Sequence, residues 1–315
     1  MRRLLFMVSL AAISMAQTGF EGPVLGLVQN PTGGELMRIN GIAGSARLVS
    51  LGIRFEVAAV HAGRGWVVGR TTAGQPLVFG SGAVPVLGSR LDVQKVVFSE
   101  SGAVAAAWYP NQGVVQIVGG FPDQPAVARE FAVDQADSLA VSDNGRVLAV
   151  RAGNEVLMLG GVAPHVSRSG DSAVIDDPPG PGRESAMVDG AVDIRFIEGS
   201  KDLVIAASKA VLLWHSTAKA PRVMSDGFDG LRAAWVSSDL RSLYAAQGQS
   251  LAVRDLGSNA TATYNCTCHP DRITPLASQN TFLISAAPGE PLWIFEAGAN
   301  RRIIFVPAAA AEANQ

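Results

Sequence analysis

The chain has 315 residues, 48% apolar and 17% charged, with a net charge of −2. That supplies ample core material and argues against a disordered chain. Lys and Arg are scattered, so no basic stripe suited to neutralising phosphates is present, and nucleic acid is not an expected partner.

The first residues read MRRLLFMVSLAAISMAQ. Arg2 and Arg3 give a positive start, residues 4–13 an apolar segment, and Ser14-Met15-Ala16 a small-residue cleavage site. This pattern predicts a secretory signal peptide over 1–16. The apolar segment is too short to cross about 30 Å of hydrocarbon, and no later stretch reaches the length of a spanning helix. The expectation is an exported protein, periplasmic or extracellular, with no membrane span. Residues 17–23 read as a linker.

Residues 24–50 hold three strand-like runs, 24–28, 35–39 and 46–50, the first two separated by NPTGG, which has hairpin chemistry. A repeat then begins. VHAGRGWVVG starts at Val60, FSESGAVAAA at Phe98, VSDNGRVLAV at Val141, FIEGSKDLVI at Phe196, VSSDLRSLYA at Val236 and LASQNTFLIS at Leu276. A second apolar run keeps phase with each: PLVF at Pro76, VVQIV at Val114, EVLML at Glu155, AVLLW at Ala210, SLAVR at Ser250 and PLWIF at Pro291. The runs have strand length and turn boundaries, not the 3.6-residue period of a helix. A further short run, such as VPVL at 84–87 or AVAREF at 126–131, makes four strands in roughly 40 residues, the unit of a β-propeller blade.

The fold class is therefore all-β, a single propeller over 24–307. Seven four-stranded blades are expected if IIFVP at 303–307 joins the N-terminal runs in a composite blade. The alternative is six blades plus an N-terminal hairpin. An insertion over 163–190, with four prolines and the acidic pair Asp176-Asp177, accounts for the long gap between the third and fourth repeats. Its composition suits a mobile segment, and Asp171, Asp176, Asp177 and Arg183 mark it as a candidate binding loop. Residues 308–315 read as a flexible tail.

The segments FSESG at 98–102 and VSDNGR at 141–146 resemble the F-S-x-D-G-R-x-L turn of bacterial propellers of the tryptophan–aspartate-repeat and YVTN-repeat kind. The Trp-Asp dipeptide itself is replaced, at the nearest positions, by Trp214-His215 and Arg254-Asp255. The run CTCHPDRITPL…PLWIF…RIIFVPA is similar to an ending of uncharacterised exported propellers of soil bacteria. These likenesses imply architecture and no particular activity.

Cys266 and Cys268 are the only cysteines. In an exported protein the pair suggests a local disulfide, although residues i and i+2 of an extended strand stand about 6.6 Å apart, at the upper limit for bridging. The alternatives are plain thiols or, with His269, three soft-metal ligands, one short of a closed tetrahedral site. The C-T-C-H spacing does not match haem attachment. His61 and His215 fall in corresponding strand regions, and His165 falls in the insertion; none belongs to a metal or nucleophile motif. Asp143-Asn144-Gly145 and Gly63-Arg64-Gly65 read as turns, not as calcium or phosphate loops. Glu100, Asp143 and Glu198 occupy equivalent turns and would gather on one face. Two functions follow: a non-catalytic, monomeric scaffold without cofactor for an extracytoplasmic protein or small ligand, or a lactonase-like hydrolase at the channel mouth. The first is the expectation, because a shared fold does not make polar turn residues catalysts.

Overall fold

The computed structural model describes residues 23–29, 35–54, 56–61, 63–64, 66–70, 76–79, 83–85, 92–121, 124–160, 182–285 and 291–307. The signal peptide, most of the linker, His165, the tail 308–315, and Asp171, Asp176 and Asp177 of the expected binding loop lie outside the described residues.

The fold is a β-propeller. Strands β1 (Val24–Gln29), β2 (Glu35–Asn40) and β3 (Arg47–Arg54) form a three-stranded antiparallel sheet. Six four-stranded blades follow. Blade 1 is β4 (Glu56–His61), β5 (Trp66–Arg70), β6 (Pro76–Phe79) and β7 (Ala83–Pro85). Blade 2 is β8 (Lys95–Phe98), β9 (Val104–Tyr109), β10 (Val114–Gly119) and β11 (Ala126–Ala132). Blade 3 is β12 (Ser138–Val141), β13 (Val147–Ala152), β14 (Glu155–Gly160) and β15 (Arg183–Met187). Blade 4 is β16 (Ala191–Phe196), β17 (Leu203–Ala207), β18 (Ala210–Trp214) and β19 (Arg222–Asp226). Blade 5 is β20 (Leu231–Val236), β21 (Ser242–Gln247), β22 (Ser250–Asp255) and β23 (Thr261–Asn265). Blade 6 is β24 (Thr274–Pro275), β25 (Thr281–Ser285), β26 (Leu292–Glu296) and β27 (Arg302–Val306).

The expectation of seven blades is corrected by the pairing of the last strand. β27 joins β26 throughout, Leu292 opposite Val306 and Glu296 opposite Arg302, and so completes its own blade. Among the described residues it adds no strand to the N-terminal runs, whose three strands pair with one another. The six-blade alternative holds, with three N-terminal strands where a hairpin was expected. This sheet packs Leu25, Val28, Met37 and Ile39 against Leu276, Leu283, Leu292, Ile294 and Val306 of the last blade. Its β1 also touches β4 of the first. A second correction concerns the insertion: residues 183–187 are not loop but the outer strand of blade 3, with Leu159 opposite Arg183 and Glu155 opposite Met187.

Middle strands read as unbroken apolar runs because both sheet faces are covered, and successive side chains point to opposite faces. In β13, Val147 and Ala149 pack toward blade 4, whereas Leu148 and Val150 pack toward blade 2. In β17, Leu203 and Ile205 meet blade 3 while Val204 and Ala206 meet blade 5. In β21, Leu243 faces blade 4 and Tyr244 faces blade 6. Each fully buried aliphatic side chain contributes about 1.5–3 kcal/mol, so the inter-blade faces are the main store of stability. Trp214 is wholly buried and its indole N–H donates to the Ala218 carbonyl at 2.8 Å, which satisfies the one polar group that burial would orphan.

In blades 2, 3 and 5 the first strand turns into the second through the same loop. Ser99, Ser142 and Ser237 donate backbone N–H to Val104, Val147 and Ser242 five residues on, and accept from Gly102, Gly145 and Leu240. That last position is left-handed, with φ +73, +66 and +59. Leu240 adopts it without glycine's freedom. At Gly145 a Cβ would also lie 3.0 Å from Ile117, whereas at Gly248 (φ +52) it would meet nothing within 4 Å. Gly145→Ala should therefore cost about 2 kcal/mol or more and Gly248→Ala about 1 kcal/mol, since only the former adds crowding to strain. Urea unfolding with matched m-values checks this difference.

Candidate functional site: the central channel

Inner strands of blades 1, 2, 3, 4 and 6 line a half-open cavity of about 320 Å³. Its walls are apolar over Val97, Phe98, Leu139, Val141 and Pro275; its polar groups are His61, Ser99, Glu100, Asp193, Arg195 and Thr274. The loops between first and second strands stand at one mouth.

At that mouth the expected cluster is brought together in part. Asp143 accepts the Ser101 backbone N–H from blade 2 at 2.8 Å and the Gly199 backbone N–H from blade 4 at 2.6 Å. One carboxylate thus fastens three consecutive blades. Burial pushes its pKa up, but the hydrogen bonds from Gly199 and Ser101 outweigh this and hold it below the usual carboxylate value. Glu198 is exposed and does not line the cavity.

Glu100 turns into the channel, its side chain 15% exposed. Burial raises its pKa, opposed by Arg195 and by the Trp235 indole, which hydrogen-bonds it. Arg195 Nη1 stands 3.8 Å from Glu100 Oε1, while Arg195 Nε donates to Asp193 at 3.1 Å and Nη1 also donates to the Ile273 carbonyl of the last blade. Spokes from blades 2, 4, 5 and 6 meet on the axis. Sequence reasoning missed Asp193, Arg195 and Trp235. The signal was present: β16 reads AVDIRF, two opposite charges two residues apart in an otherwise apolar inner strand, hence on one face.

His61 is held on both ring nitrogens. Nδ1 accepts from the Arg64 backbone N–H at 3.1 Å, and Nε2 lies 3.0 Å from the Glu100 carbonyl, which can only accept. The ring is therefore the neutral Nε2–H tautomer. Burial lowers its pKa below the ordinary 6.5. The Gly63-Arg64-Gly65 segment, described at Gly63 and Arg64, serves the same joint: Arg64 Nε donates to the Ser101 carbonyl at 3.1 Å.

The other candidates lie away from the axis. Cys266 and Cys268 are joined as a disulfide with Cα atoms 5.1 Å apart, closer than an extended strand allows, because the chain bends between β23 and blade 6. Cys268 is buried among Tyr244, Phe282, Ile284 and Phe295. His269 is exposed, its Nε2 3.5 Å from Gln249. Among the described residues no group of three His, Cys, Asp or Glu side chains is arranged to hold a metal. His215 Nδ1 is 2.8 Å from Asp202, which also accepts the Ser216 N–H, a tie within blade 4. Arg183 opens β15 and is exposed.

No family model matches this chain, and no curated protein does. Structural likeness is broad: 1004 solved chains match, so it speaks for architecture and not for one activity. One is a chain from the crystal structure of a mitotic checkpoint complex, with TM-score 0.53, 13% identity, and coverage of 99% of this chain and 90% of that one.

Two outcomes test the channel. Asp143→Asn should cost about 2 kcal/mol or more, because the amide turns a donor toward one of two N–H donors. Its cost should be matched within error by Asp143→Ala in chemical denaturation. For His61 the unfolded chain takes up a proton before the folded one. The stability it contributes is thus full above about pH 6.5 and lost as pH falls through the lowered folded value. Glu100 acts in the opposite sense, its burial penalty easing as acid protonates it. The melting temperature of the wild type should therefore drop more between about pH 7.5 and 5.5 than that of His61→Asn, in scans of both proteins. By these geometries the chain is a β-propeller, and that fold is what the solved structures share with it.

Proposed function

We propose that this is an exported, monomeric, non-catalytic propeller that serves as a binding scaffold for an extracytoplasmic protein or small ligand, without a cofactor. The observation that carries the reading is the engagement of two of the mouth's ionisable groups, Asp143 and His61, by backbone of neighbouring blades. Asp143 accepts a backbone N–H on each of its oxygens, from two different blades, and His61 has both nitrogens engaged. A general base needs an open lone pair within reach of a substrate proton. The propeller in the mitotic checkpoint complex illustrates use of this fold inside a protein assembly. Such a role rests on surface shape and not on reactive groups.

The competing hydrolase reading is tested directly. Purified protein with a panel of aliphatic lactones, with and without added divalent cations, should show no turnover above buffer, and Glu100→Gln should change nothing. Lactone opening that disappears in Glu100→Gln would establish the hydrolase instead. Export is tested by expressing the full chain in a bacterial host. The periplasmic fraction should contain protein beginning at Gln17, and deletion of residues 2–16 should leave it in the cytosol.

A further inference from the structure

We propose that the free edge of β27 is a strand-addition site for an extended segment of another protein, apolar on one face and with a carboxylate at its C-terminal end. The inference rests on the binding-scaffold reading and names where the partner docks and the chemistry of the segment that does so.

Outer strands present unpaired backbone to water, and natural sheets blunt such edges with charge, proline or bulges. The other five blades follow that practice or keep the strand polar. β7 contains Pro85, β15 opens on Arg183-Glu184, and β11 and β19 each pair with a shift in register. β23 alternates exposed Thr261, Thr263 and Asn265 with half-buried residues. β27 reads RIIFV and pairs with β26 without a shift; among the described outer strands of the blades it is the one with the uncharged, bulky apolar run 303–306. Phe305 is 51% exposed and meets Trp293 edge-on, ring centroids 5.4 Å apart.

The direction of the backbone groups follows from the register. Ala297 N–H donates to the Asn280 carbonyl at 2.7 Å, and Glu296 lies opposite Thr281. Backbone groups alternate sides along a strand, so Glu296, Ile294 and Leu292 turn theirs toward Arg302, Ile304 and Val306. The N–H and C=O groups of Ile303 and Phe305 therefore point outward, and no described strand pairs with that edge. Pro307, the next outward position, has no N–H and ends the site. Two donors and two acceptors in that alternation are satisfied by another extended backbone.

Charge sets the orientation. Arg302 Nε donates to Glu296 at 2.9 Å, and Arg301 is exposed with no carboxylate partner among the described residues. An antiparallel guest ends beside these two arginines, so a carboxylate at its C-terminal end meets Arg301. Guest residues opposite Ile303 and Phe305 share their face, and β-branched side chains there cover the exposed ring.

The test is fluorescence anisotropy of the full chain at neutral pH. The probe is an amidated peptide of alternating threonine and valine that ends in glutamate and carries a dye at its N-terminus. Saturable binding with a Kd below about 1 mM is expected. Methylating the valine nitrogens, which removes the donors to the edge, should weaken it about tenfold or more. Phe305→Lys, which puts a charge on the edge, should weaken it as much. Arg301→Glu, a change at an exposed residue outside the ladder, should reverse the preference between the glutamate peptide and one ending in lysine. Unchanged binding of the methylated peptide, indifference to both variants, or no saturation up to about 1 mM would overturn the site and leave the scaffold reading standing. Sedimentation of the free protein as two chains, lost in Phe305→Lys, would give the edge to a second copy and overturn the partner segment. Cleavage of the probe would overturn the non-catalytic reading and the site together.

Discussion

A β-sheet with two apolar faces has no stable existence until both are covered. Every four-stranded unit here meets that constraint by lending each face to a neighbour. Alternating residues of one strand therefore belong to different cores: Leu148 to one interface and Ala149 to the next, Ile205 to one and Ala206 to the next. Stability is shared pairwise, as in other repeat architectures, and the chain's two ends are where the sharing would fail. The N-terminal sheet solves this by laying Leu25, Val28, Met37 and Ile39 on the last blade while its first strand reaches the first.

The same geometry explains the polar axis. Inner strands converge where apolar side chains cannot fill the gap, and the chain places charge there with partners drawn from several blades. Asp143 joins three successive blades through backbone donors, and Arg195 reaches from blade 4 to a carbonyl of blade 6. Buried ion pairs seldom add net stability, but removing one partner is costly. These contacts set the relative placement of blades more than they add to the total.

Much of the architecture could be read from residue order alone, and the reason is the two-sided burial. A strand that must be apolar on both faces stands out, so PLVF, EVLML and AVLLW mark β6, β14 and β18 to within one residue. Outer strands have one face in water and fade into loop chemistry: RESAM, which alternates exposed and half-buried residues, was hidden inside a Pro- and Gly-rich stretch. Blade number was misjudged because apolar content does not reveal a partner, and RIIFV pairs as well with β26 as it would with β1. Of the channel, Glu100 and Asp143 were legible from turn position. Arg195 and Trp235 were not, because their roles depend on blades far apart in the chain. The Cys266–Cys268 bridge was legible as a choice among alternatives, and the bend that brings their Cα atoms to 5.1 Å was not.

The margin of blade 3 has a consequence for how this chain can vary. The strand before the excursion ends at Gly160, whose N–H donates to the Gly182 carbonyl at 2.9 Å, so the polypeptide leaves and re-enters the sheet at one spot. Closing a longer or shorter span between two fixed points changes the entropy only logarithmically. That doorway can accept a peptide tag, a reporter domain or a natural extension of different length at little thermodynamic penalty, with the wheel itself unaware of the graft.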